Sequence, residues 1–280
     1  MPNKLGILAG GGELPGRIME ACKKRGRDFY VIAIEGQADA AVIGDNPHTW
    51  IRLGAGQKAL EVARREEFDE IVMVGPVKRP SIAALRPDML AAKVLARAGA
   101  SSVMGDDGLL KAVIAQIEEL GFKVVGPDTF LKEGVDKVGI LGRFSPDELA
   151  RADIERGIHI LNTLGPVDVG QAVIVQDNIV IAVEAVEGTD AMIERSRAFR
   201  RDGPGAVLIK LPKPGQEKRV DLPTIGPRTI ERMYAAGIRG VAFDGSNTLF
   251  IDRDATITLA DQHGLFVLAL DSSEWAQEPH

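Results

Sequence analysis

Short apolar runs alternate with longer amphipathic stretches through the first half of the chain. Leu5 to Ala9 is apolar and runs straight into Gly10-Gly11-Gly12. Leu14 to Arg25 has apolar positions at helical spacing, and Phe29 to Ile34 is a second apolar run ending at Glu35-Gly36. Trp50 to Leu53 predicts a weak strand, Gly56 to Glu66 a helix, and Glu70 to Val74 a strong strand. Gly105 to Leu120 then predicts a helix and Phe122 to Val125 another strand. Strands alternating with helices in this way imply an α/β unit with a parallel sheet covered on both faces. Ligands of such sheets sit at the carboxyl ends of the strands.

The pattern then changes. From Thr129 to Ser145 the chain has glycines at 134, 139 and 142 and no sustained period, which reads as a linker. Ser145, Pro146 and Glu148 have the spacing of a capping box that opens a helix toward Leu161. Gln171 to Val175 and Ile179 to Glu184 are β-rich runs on either side of Gln176-Asp177-Asn178, a predicted hairpin. Strict alternation places Val180, Ala182 and Glu184 on one face. A helix is expected from Ala191 to Arg200, a strand from Ala206 to Lys210, and a helix opening near Pro227. Val241 to Asp244 and Thr248 to Asp252 read as a second hairpin. Asp254 reads as the cap of a helix to His263, and Leu265 to Leu270 as a closing strand. The expected division is a parallel-sheet domain over 1–132, a hinge linker over 133–144 and a mixed α/β catalytic domain over 145–280.

Composition narrows the class. The 280 residues are 45% hydrophobic and 26% charged, which suits a globular protein with a substantial core. One cysteine excludes an internal disulfide and a Cys-rich zinc site. No apolar run approaches the roughly 18 residues of a membrane span. The N-terminus enters a strand pattern directly, so no signal peptide is expected. The net charge of −6 argues against a general nucleic-acid binder, yet Arg195 to Arg232 holds ten Lys/Arg against four Asp/Glu. That local excess fits either a solvated basic face or a phosphorylated small molecule.

The candidate chemistry follows from charge at strand ends. Gly10, Gly11 and Gly12 would let a ligand approach the backbone and the N-terminus of the next helix. The dinucleotide fingerprint fails, because Pro15 stands at its third glycine position. Lys78 and Arg79 are cations in the loop after the strand ending at Val74. Glu184, Glu187 and Asp190 crowd a strand-to-helix junction. Capping accounts for one of them, and clustered carboxylates repel unless a cation joins them, so a metal-binding or catalytic role is expected for part of the cluster. The Pro-rich loop after Lys210 carries Lys213, Gln216, Lys218, Arg219 and Asp221. Cations there would hold phosphate oxygens, and Asp221, the first choice for a catalytic acid, would hold metal or orient water.

The segments "LGILAGGGELP", "GPVKRPSIAALRPD", "GDDGLL", "DVGQAVIVQDNIVIAVEAVEGTDAMI" and "KRVDLPTIGPRTI" resemble the LpxI family of UDP-2,3-diacylglucosamine pyrophosphatases, bacterial enzymes of lipid A synthesis. The resemblance runs along nearly the whole chain. It implies a Rossmann-like N-terminal domain joined to a C-terminal domain of the family's own type. It implies divalent-metal-dependent cleavage of UDP-2,3-diacylglucosamine to UMP and 2,3-diacylglucosamine 1-phosphate (lipid X), with water attacking the phosphorus that bears uridine. The family's essential aspartate falls on Asp221. With that substrate in view, Asp221, Lys213 and Arg219 are the expected catalytic residues. Gly10, Gly11, Gly12, Lys78, Arg79, Gln171, Thr189, Lys218 and Thr224 are the expected substrate contacts, and Glu184, Glu187 and Asp190 the magnesium ligands. The acyl chains are expected in an apolar crevice between the domains. A cytoplasmic enzyme is expected, and peripheral contact with the inner membrane and a homodimer are left open. Two rival classes stand beside this one: an NAD-dependent oxidoreductase and a non-catalytic sugar-nucleotide binder.

Overall fold

The computed structural model describes residues 4–78, 85–99, 106–131, 138–214, 216–217, 219–220 and 222–271. The chain divides into two compact units, Met1–Lys132 with Glu217–Asp221, and Glu133–Gln216 with Leu222–His280. Residues 217–221, expected in the C-terminal domain, thus group with the first unit.

The first unit is built on a parallel sheet. Its strands are β1 (Lys4–Ala9), β2 (Phe29–Ile34), β3 (His48–Ile51), β4 (Phe68–Val74) and β5 (Lys123–Val125), in the order β3-β2-β1-β4-β5. Around it stand α1 (Leu14–Lys24), α2 (Ala40–Ile43), α3 (Gly56–Arg65), α4 (Met89–Gly99) and α5 (Asp106–Glu119). Leu5, Ile7, Val31 and Val72 are wholly buried and pack with Ile18 and Cys22 of α1 on one face. Strand order reverses between β1 and β4, which opens the usual ligand crevice of such sheets at their carboxyl ends.

The second unit holds a mixed sheet in the order β6-β13-β11-β9-β7-β8. Its strands are β6 (Gly139–Ile140), β7 (Ala172–Gln176), β8 (Ile179–Val183), β9 (Ala206–Lys210), β11 (Ile238–Asp244) and β13 (Phe266–Leu270). β9, β11 and β13 are parallel, while β6 and β7 run against their neighbours. A separate parallel pair joins β10 (Thr224–Ile225) to β12 (Leu249–Phe250). The helices are α6 (Glu148–Leu164), α7 (Gly188–Ser196), α8 (Pro227–Ala236) and α9 (Arg253–Gln262). α6 places Ala150, Ile154 and Leu161 on Val173, Val175, Val207 and Ile209, while Ile174, Leu208 and Phe243 face the core shared with α7, α8 and α9.

Several expectations are corrected. Gly139–Ile140, placed in the linker, is an edge strand bonded to β13. The cap of α6 is Asp147, whose carboxylate accepts from Ala150 N at 2.8 Å, and not Ser145. The predicted hairpin at Gly245-Ser246-Asn247 does not form, because Leu249 and Phe250 pair with Thr224 and Ile225 instead. Asp252, and not Asp254, stands at the start of α9, with no side-chain cap bond. The β7–β8 hairpin does form, but its register shifts between Ile174 and Val175. The irregularity breaks strict alternation, so Ala182 joins one core face and Val180 packs on the other.

Candidate active site

In the first unit the carboxyl edge of the sheet is made of backbone. Gly10 N donates to Val74 O at 2.8 Å and Gly11 N to Pro76 O at 2.9 Å, so the loops after β1 and β4 are bonded together. A Cβ on Gly10 would stand 2.4 Å from the Gly75 carbonyl oxygen, and one on Gly75 2.3 Å from that of Gly11. The glycine run is therefore required by two loops crossing at the strand-order reversal, whatever else it does. Gln37 holds Lys78, its Oε1 accepting from Lys78 N at 2.8 Å. Lys78 is exposed at this edge, as expected; Arg79 lies outside the described residues.

The Arg219 side chain belongs to the same unit. Its Nε and Nη2 donate to Glu217 at 2.8 and 2.9 Å and its Nη1 to Glu118 at 2.5 Å. These hydrogen bonds, Glu217's first, push the guanidinium pKa up, and the Arg219 contact holds the Glu217 carboxyl below its usual range. Arg219 is thus a doubly paired cation, and its expected catalytic role finds no support in this arrangement.

The second unit gathers charged and polar groups at one edge. β9 and β11 end in Lys210 and Asp244, and Lys210 is the neighbour of Phe243 in register. β7 runs the other way, so Gln171, just before it, reaches the same edge, and Glu184 reaches it just after β8. Lys210 is buried, and its Nζ donates to Thr224 O at 3.1 Å. Asp244 is fully buried and accepts from Ser246 N, Asn247 N and Asn247 Nδ2 at 2.8, 2.7 and 3.0 Å. Among the described residues the buried Thr248 hydroxyl finds no hydrogen-bond partner. Lys213 pairs with Asp168, and its backbone N–H donates to Gln216 Oε1 at 2.8 Å. Gln216 in turn donates to Gln171 Oε1 at 3.2 Å. Asp221 and Lys218 lie outside the described residues.

The three acids expected to share magnesium have separate work. Glu184 is buried; one oxygen accepts from Gln171 N at 3.1 Å and the other from the Thr189 hydroxyl at 2.8 Å. Glu187 accepts from Arg195 at 2.7 and 3.0 Å. Its own backbone N–H and then the Arg195 guanidinium hold its carboxyl below the usual range. Asp190 sits 3.4 Å from both Arg228 and Arg232. Among the described residues no three acids, histidines or cysteines group as a metal site. The charge at this junction is answered by arginines, a hydroxyl and a backbone N–H, so these three acids do not fit a shared magnesium ion.

Of the expected site residues, the second-unit edge brings together Lys213, expected to be catalytic, with the expected contacts Gln171, Thr189 and Thr224. It adds Asp168, Lys210, Asp244 and Thr248, which the sequence reading passed over. The cue for two of them is visible in retrospect: "AVLIK" and "VAFD" are buried strands that end in a charge.

Residues 4–154 match the family of the LpxI N-terminal domain, and residues 137–268 that of the LpxI C-terminal domain. The chain is 39% identical over 280 residues to a protein of Caulobacter vibrioides described as UDP-2,3-diacylglucosamine pyrophosphatase LpxI, covering 97% of this chain and 99% of that one. Among solved structures, a CobK precorrin-6A reductase aligns at a TM-score of 0.37 and 12% identity, over 99% of this chain and 90% of that one. The Bordetella bronchiseptica enzyme WbmG, solved with NAD, aligns at 0.35 and 11%, over 100% and 90%. Likeness that weak carries no argument about ligand or activity.

Proposed function

The chain belongs to the LpxI family, and we propose on that premise that it hydrolyses the diphosphate of UDP-2,3-diacylglucosamine to UMP and 2,3-diacylglucosamine 1-phosphate. The observation that carries this reading is relatedness end to end: a pyrophosphatase of the family aligns over nearly the whole of both chains. The sheet edge described above supports it, because hydrolysis of a diphosphate needs cations at its oxygens and polar groups to orient water.

In this reading Lys213 meets a phosphate oxygen, and Gln171, Thr189 and Thr224 offer polar contacts at the same edge. Asp221 is the acid that orients the attacking water. The water oxygen bonds to the phosphorus bearing uridine, the bridging P–O bond breaks, and the sugar keeps the bridging oxygen in its phosphate. Lys78, Arg79 and Lys218 are further candidate phosphate contacts. We propose that a divalent cation arrives with the diphosphate, since magnesium keeps substrate phosphates as ligands and needs only one or two carboxylates from a protein. Its chemistry would be to draw charge from a phosphoryl oxygen.

No helix among the described residues is long and apolar enough to cross a membrane. A nucleotide-sugar substrate places the reaction in the cytoplasm in this proposal, and its acyl chains make peripheral contact with the inner membrane a second proposal, testable by co-sedimentation with vesicles.

The test is turnover by the purified protein of UDP-2,3-diacylglucosamine with magnesium. Equimolar UMP and lipid X, lost on chelation, are expected. In ¹⁸O water the label is expected in UMP; label in lipid X would place the attack on the other phosphorus. Absence of both products would remove the assignment.

A further inference from the structure

Two stretches of the second unit, 165–171 and 211–216, are stitched side by side. Leu211 N donates to Gln171 O at 2.9 Å, and Gln216 Nε2 donates to Gln171 Oε1 at 3.2 Å. Gly165 lies so close under Pro214 that a Cβ on it would stand 2.5 Å from the proline Cδ. Between these contacts Asp168 pairs with Lys213. The first stretch is thus a bed on which the start of the Lys213 loop rests, and Glu184 braces it from behind through Gln171 N.

Asp168 has an unusual backbone. It closes the short 3₁₀ turn Gly165–Val167 at φ 59° and ψ 33°, with its N–H donating to Gly165 O at 3.0 Å. Left-handed geometry is served by glycine, and among other residues by the short polar side chains of asparagine and aspartate. The turn alone therefore accounts for a short polar side chain but does not call for a charge. What the carboxylate supplies is an ionic partner for the Lys213 ammonium at the end of its flexible four-carbon stem. The Lys213 side chain is 14% exposed and that of Asp168 24%, so the pair sits at the surface of the site and not inside the core.

We propose that Asp168 is a positioning residue for the hydrolysis, holding the Lys213 ammonium where it meets the substrate diphosphate. The inference rests on the function proposed above and deepens it. Lys213 touches substrate, and Asp168 acts only through it.

The experiment is a double-mutant cycle in kcat with UDP-2,3-diacylglucosamine and magnesium, using Asp168→Asn, Lys213→Met and the double variant. Melting temperature is measured on the same samples. Asn keeps the side-chain shape and suits the left-handed backbone, so Asp168→Asn is expected to melt at or above the wild-type temperature. Its kcat is expected to fall at least about tenfold, because a misplaced charge in the site forfeits its orientation. In the Lys213→Met background the same change is expected to cost nothing further. An Asp168→Asn variant with more than about half the wild-type kcat would overturn the inference and leave the hydrolase reading standing. Losses that multiply in the double variant would overturn it too, since Asp168 would then act independently of Lys213. Wild-type protein that fails to turn over would overturn the function and this inference together.

Discussion

The two sheets differ most in what stands at their carboxyl edges. In the first unit, Arg27, Glu70 and Lys123 cluster at the amino edge: Arg27 and Lys123 reach the Glu70 carboxylate at 2.6 and 2.7 Å, and Lys4 reaches Glu66 at 2.7 Å nearby. The carboxyl edge of that sheet packs glycine on glycine, with Lys78 exposed beside it. In the second unit Lys210 and Asp244 close parallel strands at the carboxyl edge, with Glu184 and Lys213 beside them. Strand direction separates the two cases. Loops leaving the carboxyl ends can surround a ligand, so charge there is within reach of the proposed substrate, whereas the amino-edge ion pairs tie neighbouring elements together.

The comparison can be broken at several points, and the largest effect is expected at Asp221. Asp221→Ala should cut turnover at least about 100-fold while substrate binding survives; a variant keeping more than about a tenth of the rate would remove its role. Gly10→Ala should act on stability instead, because its Cβ has no room between the two loops. Overpacking of this kind costs about 1–3 kcal/mol, read as a lower midpoint in urea. An unchanged midpoint would show that the glycine run is not held by loop packing.

Glu70→Gln tests the amino-edge cluster through pH. Hydrogen bonds from Lys123 and then Arg27 hold the Glu70 carboxyl below its usual range. Its stabilising contribution is therefore present above the ordinary carboxylate pKa and lost as pH falls through the depressed folded value. Glu70→Gln should cost about 1 kcal/mol at neutral pH, and the gap to wild type should close in acid. A gap that persists in acid would point to packing and not charge. The smallest effect is expected from Glu187→Gln, which loses an exposed Arg195 contact worth about 0.5 kcal/mol and should leave the magnesium dependence of the rate flat. A raised magnesium requirement would restore the metal role that the geometry argues against.

Much of this fold is legible in the chain, for a local reason. Phe29–Ile34 and Ala206–Lys210 are β-rich apolar runs bounded by turn residues, and they form strands over those very residues. Val241–Asp244 followed by Leu249–Phe250 looks equally like a hairpin, but a long-range partner, Thr224–Ile225, takes the second strand. Periodicity cannot report that competition. The site is less legible. Lys213 could be picked from the charge of its loop, and Gln171, Thr189 and Thr224 came with the family resemblance, yet Asp168 is a single acid in "GPVDVG" with no pattern around it. Its relevance comes from a partner 45 residues away. The acids Glu184, Glu187 and Asp190 misled for the complementary reason: they are close in sequence, but arginines from α7 and α8 reach two of them, and the hydroxyl of Thr189 the third.

The central claim is that Lys213, at the carboxyl edge of the second sheet, serves the proposed hydrolysis, while Gly10 in the first sheet's glycine loops is a packing residue. The most direct measurement is UMP release from UDP-2,3-diacylglucosamine, with thermal melting on the same samples, for Lys213→Met and Gly10→Ala. Lys213→Met is expected to melt like the wild type and lose about 100-fold in kcat, as removal of a charge-stabilising donor does. Gly10→Ala is expected to melt several degrees lower and, while folded, to keep a kcat within about threefold of wild type. The opposite pattern, with turnover intact in Lys213→Met and lost in folded Gly10→Ala, would contradict the claim and move the chemistry to the first sheet.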